Sequence, residues 1–244
     1  GYSAVELNQN EFWLLGHTKT TKNGIMLLKV DSDGNEKWFS FLPKIKCTFA
    51  NNMIKASNSE LFISGTYKNK LFATKVDTSG TQKWYYSYFD DMNTHRAYDL
   101  IKTSDDGLLI TGNSTGTSIN KNFDILLIKL SKNGEEEWTQ IFGNESSEVS
   151  YAIKETQDMG YIIAGHALVD KKKIIYNSFI VKTDIYGNMI WRKDFIEYSN
   201  KLFDVIIDGK YFMVLGNISR YENESDIWIV RLDQDGNTKS INNY

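Results

Sequence analysis

The chain is short of several things that would narrow its chemistry at once. Cys47 is its single cysteine, so no intrachain disulfide can form. A chain of 244 residues buries enough surface to need no such staple. There is one proline. The three histidines, His17, His95 and His166, are too scattered for a zinc-ligand spacing. A phosphate-binding loop, a dinucleotide-binding glycine motif, a serine-hydrolase elbow and a Cys-His arrangement are all missing. No segment carries a 3.6-residue apolar stripe, and no apolar run reaches the roughly 18 residues of a membrane helix. No signal peptide is evident, and a mature secreted chain would have lost one. Charge of one sign is also lacking: 28 basic and 31 acidic residues leave a net charge of -3. No overall basic field is therefore present to attract nucleic acid.

What is present is repetition. Turn glycines fall at Gly34, Gly80, Gly134, Gly187 and Gly236, spaced by 46, 54, 53 and 49 residues. A second series, Gly16, Gly65, Gly112, Gly165 and Gly216, runs in the same phase. Each unit reads as four short strands, A to D, rich in Ile, Phe, Tyr and Trp. Strand C ends in a basic residue, an Asp-Gly turn follows, and strand D opens near a tryptophan. The approximate units are 1–42, 43–89, 90–142, 143–195 and 196–244. The fifth has Ser240 where the others have tryptophan.

Four-stranded units at this period predict an all-β, five-bladed β-propeller with four antiparallel strands per blade. Strand B is almost continuously apolar before its glycine, as expected of a sheet covered on both faces by neighbours. That glycine either relieves close blade packing or permits a bulge. All five units together are expected to form a single domain, its ring closing unit five on unit one. Membership of a longer propeller is the alternative.

The segment at 103–112, Thr-Ser-Asp-Asp-Gly-Leu-Leu-Ile-Thr-Gly, followed by 124–138, from Asp-Ile-Leu-Leu-Ile-Lys-Leu to Trp138, resembles the repeat of secreted or cell-surface bacterial and archaeal β-propellers. The C–D hairpins also resemble the tryptophan-docking repeats of quinoprotein-type propellers. The first likeness implies an extracellular, cell-surface or periplasmic location. The second implies that Trp38, Trp84, Trp138 and Trp191 are structural docking residues between blades. Neither assigns an activity.

Five cations, Lys29, Lys75, Lys129, Lys182 and Arg231, each precede Asp31, Asp77, Ser131, Asp184 or Asp233 by two residues. That spacing puts each pair on one strand face, with a tryptophan placed to cover the cation's stem. A ring of ligand-binding cations is the alternative. The turns at 31–35 and 233–237 carry oxygen donors at alternate positions, as in part of a calcium loop. They lack the distal Glu, and turn chemistry alone explains them. We expect no metal site and no cofactor.

The variable B–C loops, 17–24, 66–70, 113–123, 166–177 and 217–225, suit binding, because loops vary without disturbing the core. The D–A connections are expected on the same face. Candidate ligand-binding residues are His17, Tyr67, His95, Asn113, His166, Tyr176, Arg220 and Tyr221. Lys171-Lys172-Lys173 reads as a solvated loop tip. The sequons at Asn113, Asn144, Asn217 and Asn223 matter only in a glycosylating, secreting source. The leading functional expectation is a non-catalytic interaction module for a protein or glycan, with no direct membrane insertion. Alternatives are a polysaccharide-acting propeller enzyme, whose carboxylates would flank a channel, and a purely structural repeat of a larger surface protein.

Overall fold

Short β-branched and aromatic runs, broken repeatedly by Asp, Asn and Gly, favour pleated strands over helices. The computed structural model describes residues 3–17, 24–88, 93–115, 122–219 and 225–244, with the side chains of 43–46 outside the description. The first blade comprises β1 (Ser3–Asn8), β2 (Glu11–His17), β3 (Gly24–Asp31) and β4 (Glu36–Lys46). The second comprises β5 (Phe49–Ser57), β6 (Glu60–Tyr67), β7 (Lys70–Asp77) and β8 (Gln82–Tyr88). The third comprises β9 (His95–Lys102), β10 (Leu108–Ser114), β11 (Asp124–Leu130) and β12 (Glu136–Phe142). The fourth comprises β13 (Ser147–Glu155), β14 (Tyr161–Asp170), β15 (Ile175–Thr183) and β16 (Met189–Phe195). The fifth comprises β17 (Ser199–Asp208), β18 (Tyr211–Ser219), β19 (Asp226–Leu232) and β20 (Thr238–Asn243). Each blade is one four-stranded sheet with its strands in chain order, and the fold is an all-β five-bladed propeller. No helix occurs among the described residues, so none is long and apolar enough to cross a membrane.

The chain divides into two compact units, 1–110 with 129–137 and 111–128 with 138–244. In the first, β1 packs on β5 and β5 on β9. Its core joins Trp13, Leu15, Ile25, Leu27, Met53, Leu61, Ile63 and Phe72, and includes Cys47. Burial pushes the Cys47 thiol up to about 11. In the second, β13 and β14 pack on β17, around Ile162, Ile180, Leu202, Phe212, Val214, Trp228 and Val230. Each large apolar side chain fully buried this way contributes about 1.5–3 kcal/mol.

The strand-B glycines mark bulges. Ala50 pairs with Gly65 and Asn52 with Ser64, so Asn51 is the extra residue. Tyr151 is the extra residue opposite Gly165 and Ala164, and Phe203 opposite Gly216 and Leu215. A β-carbon at Gly65, Gly165 or Gly216 would stand 2.3, 2.1 or 2.0 Å from the carbonyl oxygen of Phe49, Val149 or Lys201. The bulge drives that carbonyl toward the opposite strand, and only glycine leaves it room. Gly16 is different: its nearest neighbour among the described residues would be the Met26 β-carbon at 3.8 Å.

The C–D turns close on their first residue. Asp31 Oδ1 accepts from the backbone N–H of Asp33 at 3.1 Å and of Asn35 at 2.9 Å. Asp77, Asp184 and Asp233 repeat the pattern, and the Ser131 hydroxyl substitutes for it in the third blade. Lys37 lies 2.8 Å from Asp31 and, with these backbone donors, holds its carboxyl down to about 2. Strand-end cations therefore do not pair with the acid two residues on. Lys29 binds Glu11 at 2.7 Å, Lys75 binds Glu60 at 2.6 Å, and Lys129 binds Asp105 at 2.7 Å and Glu137 at 2.8 Å. Lys182 binds Asp158 at 2.9 Å and Arg231 binds Asp208 at 3.3 Å. Most of these acids come from the A–B side of the sheet, which the strand pairing brings alongside.

The tryptophans are half-buried and stand opposite the strand-end cations in register, as Lys29 with Trp38 and Lys182 with Trp191. Each ring lies over the turn glycine of the following blade. The approach to the glycine's β-carbon position is 3.1 Å for Trp38 on Gly80, 2.5 Å for Trp84 on Gly134, 2.6 Å for Trp138 on Gly187 and 3.2 Å for Trp191 on Gly236. Trp84 and Trp191 also donate Nε1–H to the Lys132 and Gln234 carbonyls, each at 3.1 Å. No atom of the described residues lies within 4 Å of the same position at Gly34.

Candidate ligand-binding site

A cavity of about 500 Å³ opens in the first unit where the beginnings of β5 and β9 meet the end of β6. Thr48, Phe49, Asn51, Thr66, Lys68, Asn69, Arg96 and Tyr98 line it. Its volume lies within the range of small-molecule sites. The wall is built from backbone outward. Tyr67 pairs with Lys70, leaving Lys68-Asn69 as a two-residue hairpin turn with φ of 47° and 66°. Two positive φ values define a type I′ turn. Asn adopts this conformation readily, whereas at Lys68 it costs about 1–2 kcal/mol.

Neighbouring segments tie the turn down. Lys68 N–H donates to Thr48 Oγ1 at 3.2 Å, Thr48 N–H to the Thr66 carbonyl at 2.7 Å, and His95 N–H to the Asn69 carbonyl at 2.8 Å. The Asn51 amide, placed by the β5 bulge, donates to the Ala97 carbonyl. Asn52 donates to Asp99 Oδ1 at 2.8 Å. Phe49 remains 46% exposed, with His17 edge-on to its ring at 5.7 Å. Among the described residues, the lining thus combines two aromatic faces, hydroxyl and amide groups and two cations, with no carboxylate.

Two sequence candidates flank this cavity. His17 touches Phe49, and Tyr67 immediately precedes Lys68, whose ammonium lies 5.5 Å from its ring centre. His95 is buried edge-on to Tyr88 at 4.8 Å, so its backbone braces the turn while its ring faces the interior. Asn113 is buried in β10 of the second unit, with Oδ1 accepting no hydrogen bond from the described residues. Arg220 and Tyr221 lie outside the described residues. Two of the cavity residues that sequence reasoning passed over, Asn51 and Tyr98, share one signal. Tyr98 holds the same offset from Gly112 as Asn51 from Gly65 and Tyr151 from Gly165.

The second unit brings His166 and Tyr176 together, and places them on strands where a loop at 166–177 was expected. The β14–β15 hairpin continues to Asp170 opposite Ile175, leaving Lys171, Lys172 and Lys173 in its turn. His166 stacks on the bulge residue Tyr151 at 5.0 Å and meets Tyr176 edge-on at 5.2 Å. The other bulge residue, Phe203, is 45% exposed and edge-on to Tyr151 at 5.9 Å. Burial, reinforced by nearby Lys201, lowers the His166 pKa to about 4, so the imidazole is neutral at pH 7.

The same unit contains a pair of close carboxyl groups. Asp124 Oδ1 and Glu148 Oε2 each lie 2.5 Å from the point a Gly143 β-carbon would occupy. Burial pushes both pKa values up, and Arg192 opposes the shift at Glu148. Arg192 stands 2.7 Å from both Glu148 and Asp194. Glu148 is fully buried, which removes it from contact with any substrate in this conformation. Among the described residues, no group of three or more His, Cys, Asp or Glu side chains is arranged to hold a metal ion.

The fold is shared with functionally diverse proteins. A GH43 β-1,3-galactosidase superposes over 95% of this chain and 59% of its own length, with TM-score 0.50 and 13% identity. An α-L-arabinofuranosidase from Clostridium thermocellum superposes over 99% and 93%, with TM-score 0.51 and 10% identity. A puromycin hydrolase superposes over 97% and 36%, with TM-score 0.58 and 11% identity. The chain therefore spans less than two thirds of the galactosidase and about a third of the puromycin hydrolase. Likeness at such identities is likeness of fold. No protein-family model and no curated protein sequence matches the chain.

Proposed function

We propose that the protein is a non-catalytic binding module whose ligand is a glycan, held in the cavity between the hairpin turn at Lys68-Asn69, the bulged strand β5 and strand β9. One observation carries the reading: aromatic rings, amides and hydroxyls converge on a walled cavity of about 500 Å³ that has no carboxylate among the described residues of its lining. Sugars present apolar ring faces beside hydroxyl groups, and this mixture complements both. The likeness of its repeats to those of secreted propellers supports an extracellular, cell-surface or periplasmic setting. In this reading Trp38, Trp84, Trp138 and Trp191 are docking residues that keep the blades in register.

Calorimetric titration with a panel of neutral and charged oligosaccharides tests the proposal. Binding should weaken at least about tenfold in Tyr98→Ala, and no sugar should be cleaved. An absence of binding across the panel would end it. The second reading, polysaccharide hydrolysis, has the raised pKa values of Asp124 and Glu148 in its favour and the burial of Glu148 against it. Release of reducing ends that disappears in Asp124→Asn would establish that reading instead.

A further inference from the structure

We infer that Asp124 and Glu148, with the loop at 143–146 between β12 and β13, hold a divalent cation, and that the ion is calcium. The site belongs to the second unit and is independent of the glycan cavity in the first. Its centre is Gly143. Asp124 Oδ1 and Glu148 Oε2 each stand 2.5 Å from the point a β-carbon there would occupy. The two oxygens therefore lie within about 5 Å of one another, a gap that one ion with ligands at roughly 2.3–2.6 Å bridges. Glycine lets the main chain approach both acids, where any side chain would fill the space between them. Gly143 is exposed and Asp124 half-buried, so an ion reaches the pair from solvent.

Neither of these oxygens is matched by a donor. Glu148 is fully buried. Its Oε1 stands 2.7 Å from Arg192, while its Oε2 accepts no hydrogen bond from the described residues. Asp124 likewise draws on no donor among them, and burial alone raises its pKa. The acids of the C–D turns are satisfied instead: Asp31, Asp77, Asp184 and Asp233 each accept two backbone N–H groups of their own hairpin. A buried carboxylate left without such partners is costly. Arg192 brings one positive charge to Glu148 and Asp194, the latter held through Nε at 3.0 Å and Nη2 at 2.7 Å. With Asp124 beside them, two negative charges are left over. A shared proton balances one of these, and a divalent ion balances both.

The fifth blade shows what the position does. Glu148 and Asn200 each stand three residues before a bulge residue, Tyr151 and Phe203. The Asn200 amide nitrogen donates to the carbonyls of Phe195, Glu197 and Tyr198 in its D–A connection, at 3.2, 2.9 and 3.1 Å. An ionised Glu148 at the same place has no N–H to give. A cation supplies that positive end and satisfies both carboxylates at once. Two carboxylates completed by main-chain carbonyls and water suit calcium, which accepts irregular oxygen shells, better than magnesium, which requires a near-ideal octahedron.

The test is calorimetric titration of calcium chloride into the whole chelator-treated protein, with thermal unfolding in parallel. One calcium should bind with a dissociation constant of about 0.1–1 mM, the range of extracellular modules. In about 10 mM calcium the melting midpoint should rise by about 3 °C or more, and by less in magnesium. Asp124→Asn and Glu148→Gln keep the side-chain shape and remove a charge; each should erase the rise. Asp31→Asn, at a C–D turn, should keep it in full. A parent chain that does not respond to calcium, or a response unchanged in Asp124→Asn, would overturn the inference. Loss of the response in Asp31→Asn would overturn it too, by moving the ion to a hairpin turn. A magnesium response as large as that to calcium would overturn the choice of ion.

Discussion

His166 shows how a single side chain acquires a role from its surroundings. Tyr151, Tyr176 and Phe203 enclose its ring, and Lys201 adds a nearby positive charge. Both disfavour the imidazolium, so the folded pKa falls from 6.5 to about 4. The unfolded chain then binds the proton more readily between those values. Stability from this group is fully present above about pH 6.5 and is lost as the pH falls toward about 4. Denaturant melts across that window should show a smaller pH slope in His166→Phe than in the parent chain; an unchanged slope would remove His166 from the account. The sequence located this histidine and Tyr176 as candidates. Tyr151 and Phe203 escaped notice because they lie on other strands, and their approach depends on two bulges that no local pattern announces.

At the level of strands, most of the architecture was legible. The glycine series and the short apolar runs located all four strands of each blade. Register was less accessible, since alternation does not reveal where a strand gains one residue. The expected B–C loop at 166–177 is another instance. Its Asp, Lys and Tyr content resembles a loop, yet backbone pairing extends the hairpin to Asp170 and Ile175. The two explanations left open for the strand-B glycines are now separable. Gly65, Gly165 and Gly216 face an approaching carbonyl, whereas Gly16 faces none among the described residues. Gly165→Ala should therefore lose about 1–3 kcal/mol through forced backbone movement, and Gly16→Ala should change little. Urea denaturation of both variants measures the contrast, and similar losses at the two sites would contradict it.

Over the whole chain, repetition disclosed the fold far better than the site. Repeated features are packing and turn devices: tryptophan over glycine, carboxylate closing a hairpin, cation paired with the A–B side. Trp138→Ala removes one such device, with its ring over Gly187 and 6.1 Å from Tyr161. Because the ring is half-buried, the expected loss is about 2–3 kcal/mol, below that of a fully buried tryptophan. Glycan affinity at the first unit's cavity should stay within about twofold in the same variant, and a large loss of affinity would assign Trp138 to the binding machinery. The cavity itself draws on positions where the blades differ, Asn51 against Tyr151, Lys68-Asn69 against a much longer hairpin. Its chemistry could be read only once the strands that bear it were aligned.

The lone sulfhydryl has a practical consequence. Cys47 is 1% exposed, belongs to the first unit's core, and has its ionisation pushed to about 11, so an alkylating reagent meets little nucleophile while that core is shut. Mass added to the chain then becomes a clock for one half of the molecule, blind to excursions confined to the other. A saccharide seated beside Phe49 and Thr48 should slow that clock in proportion to its occupancy, giving a binding assay that needs no attached dye.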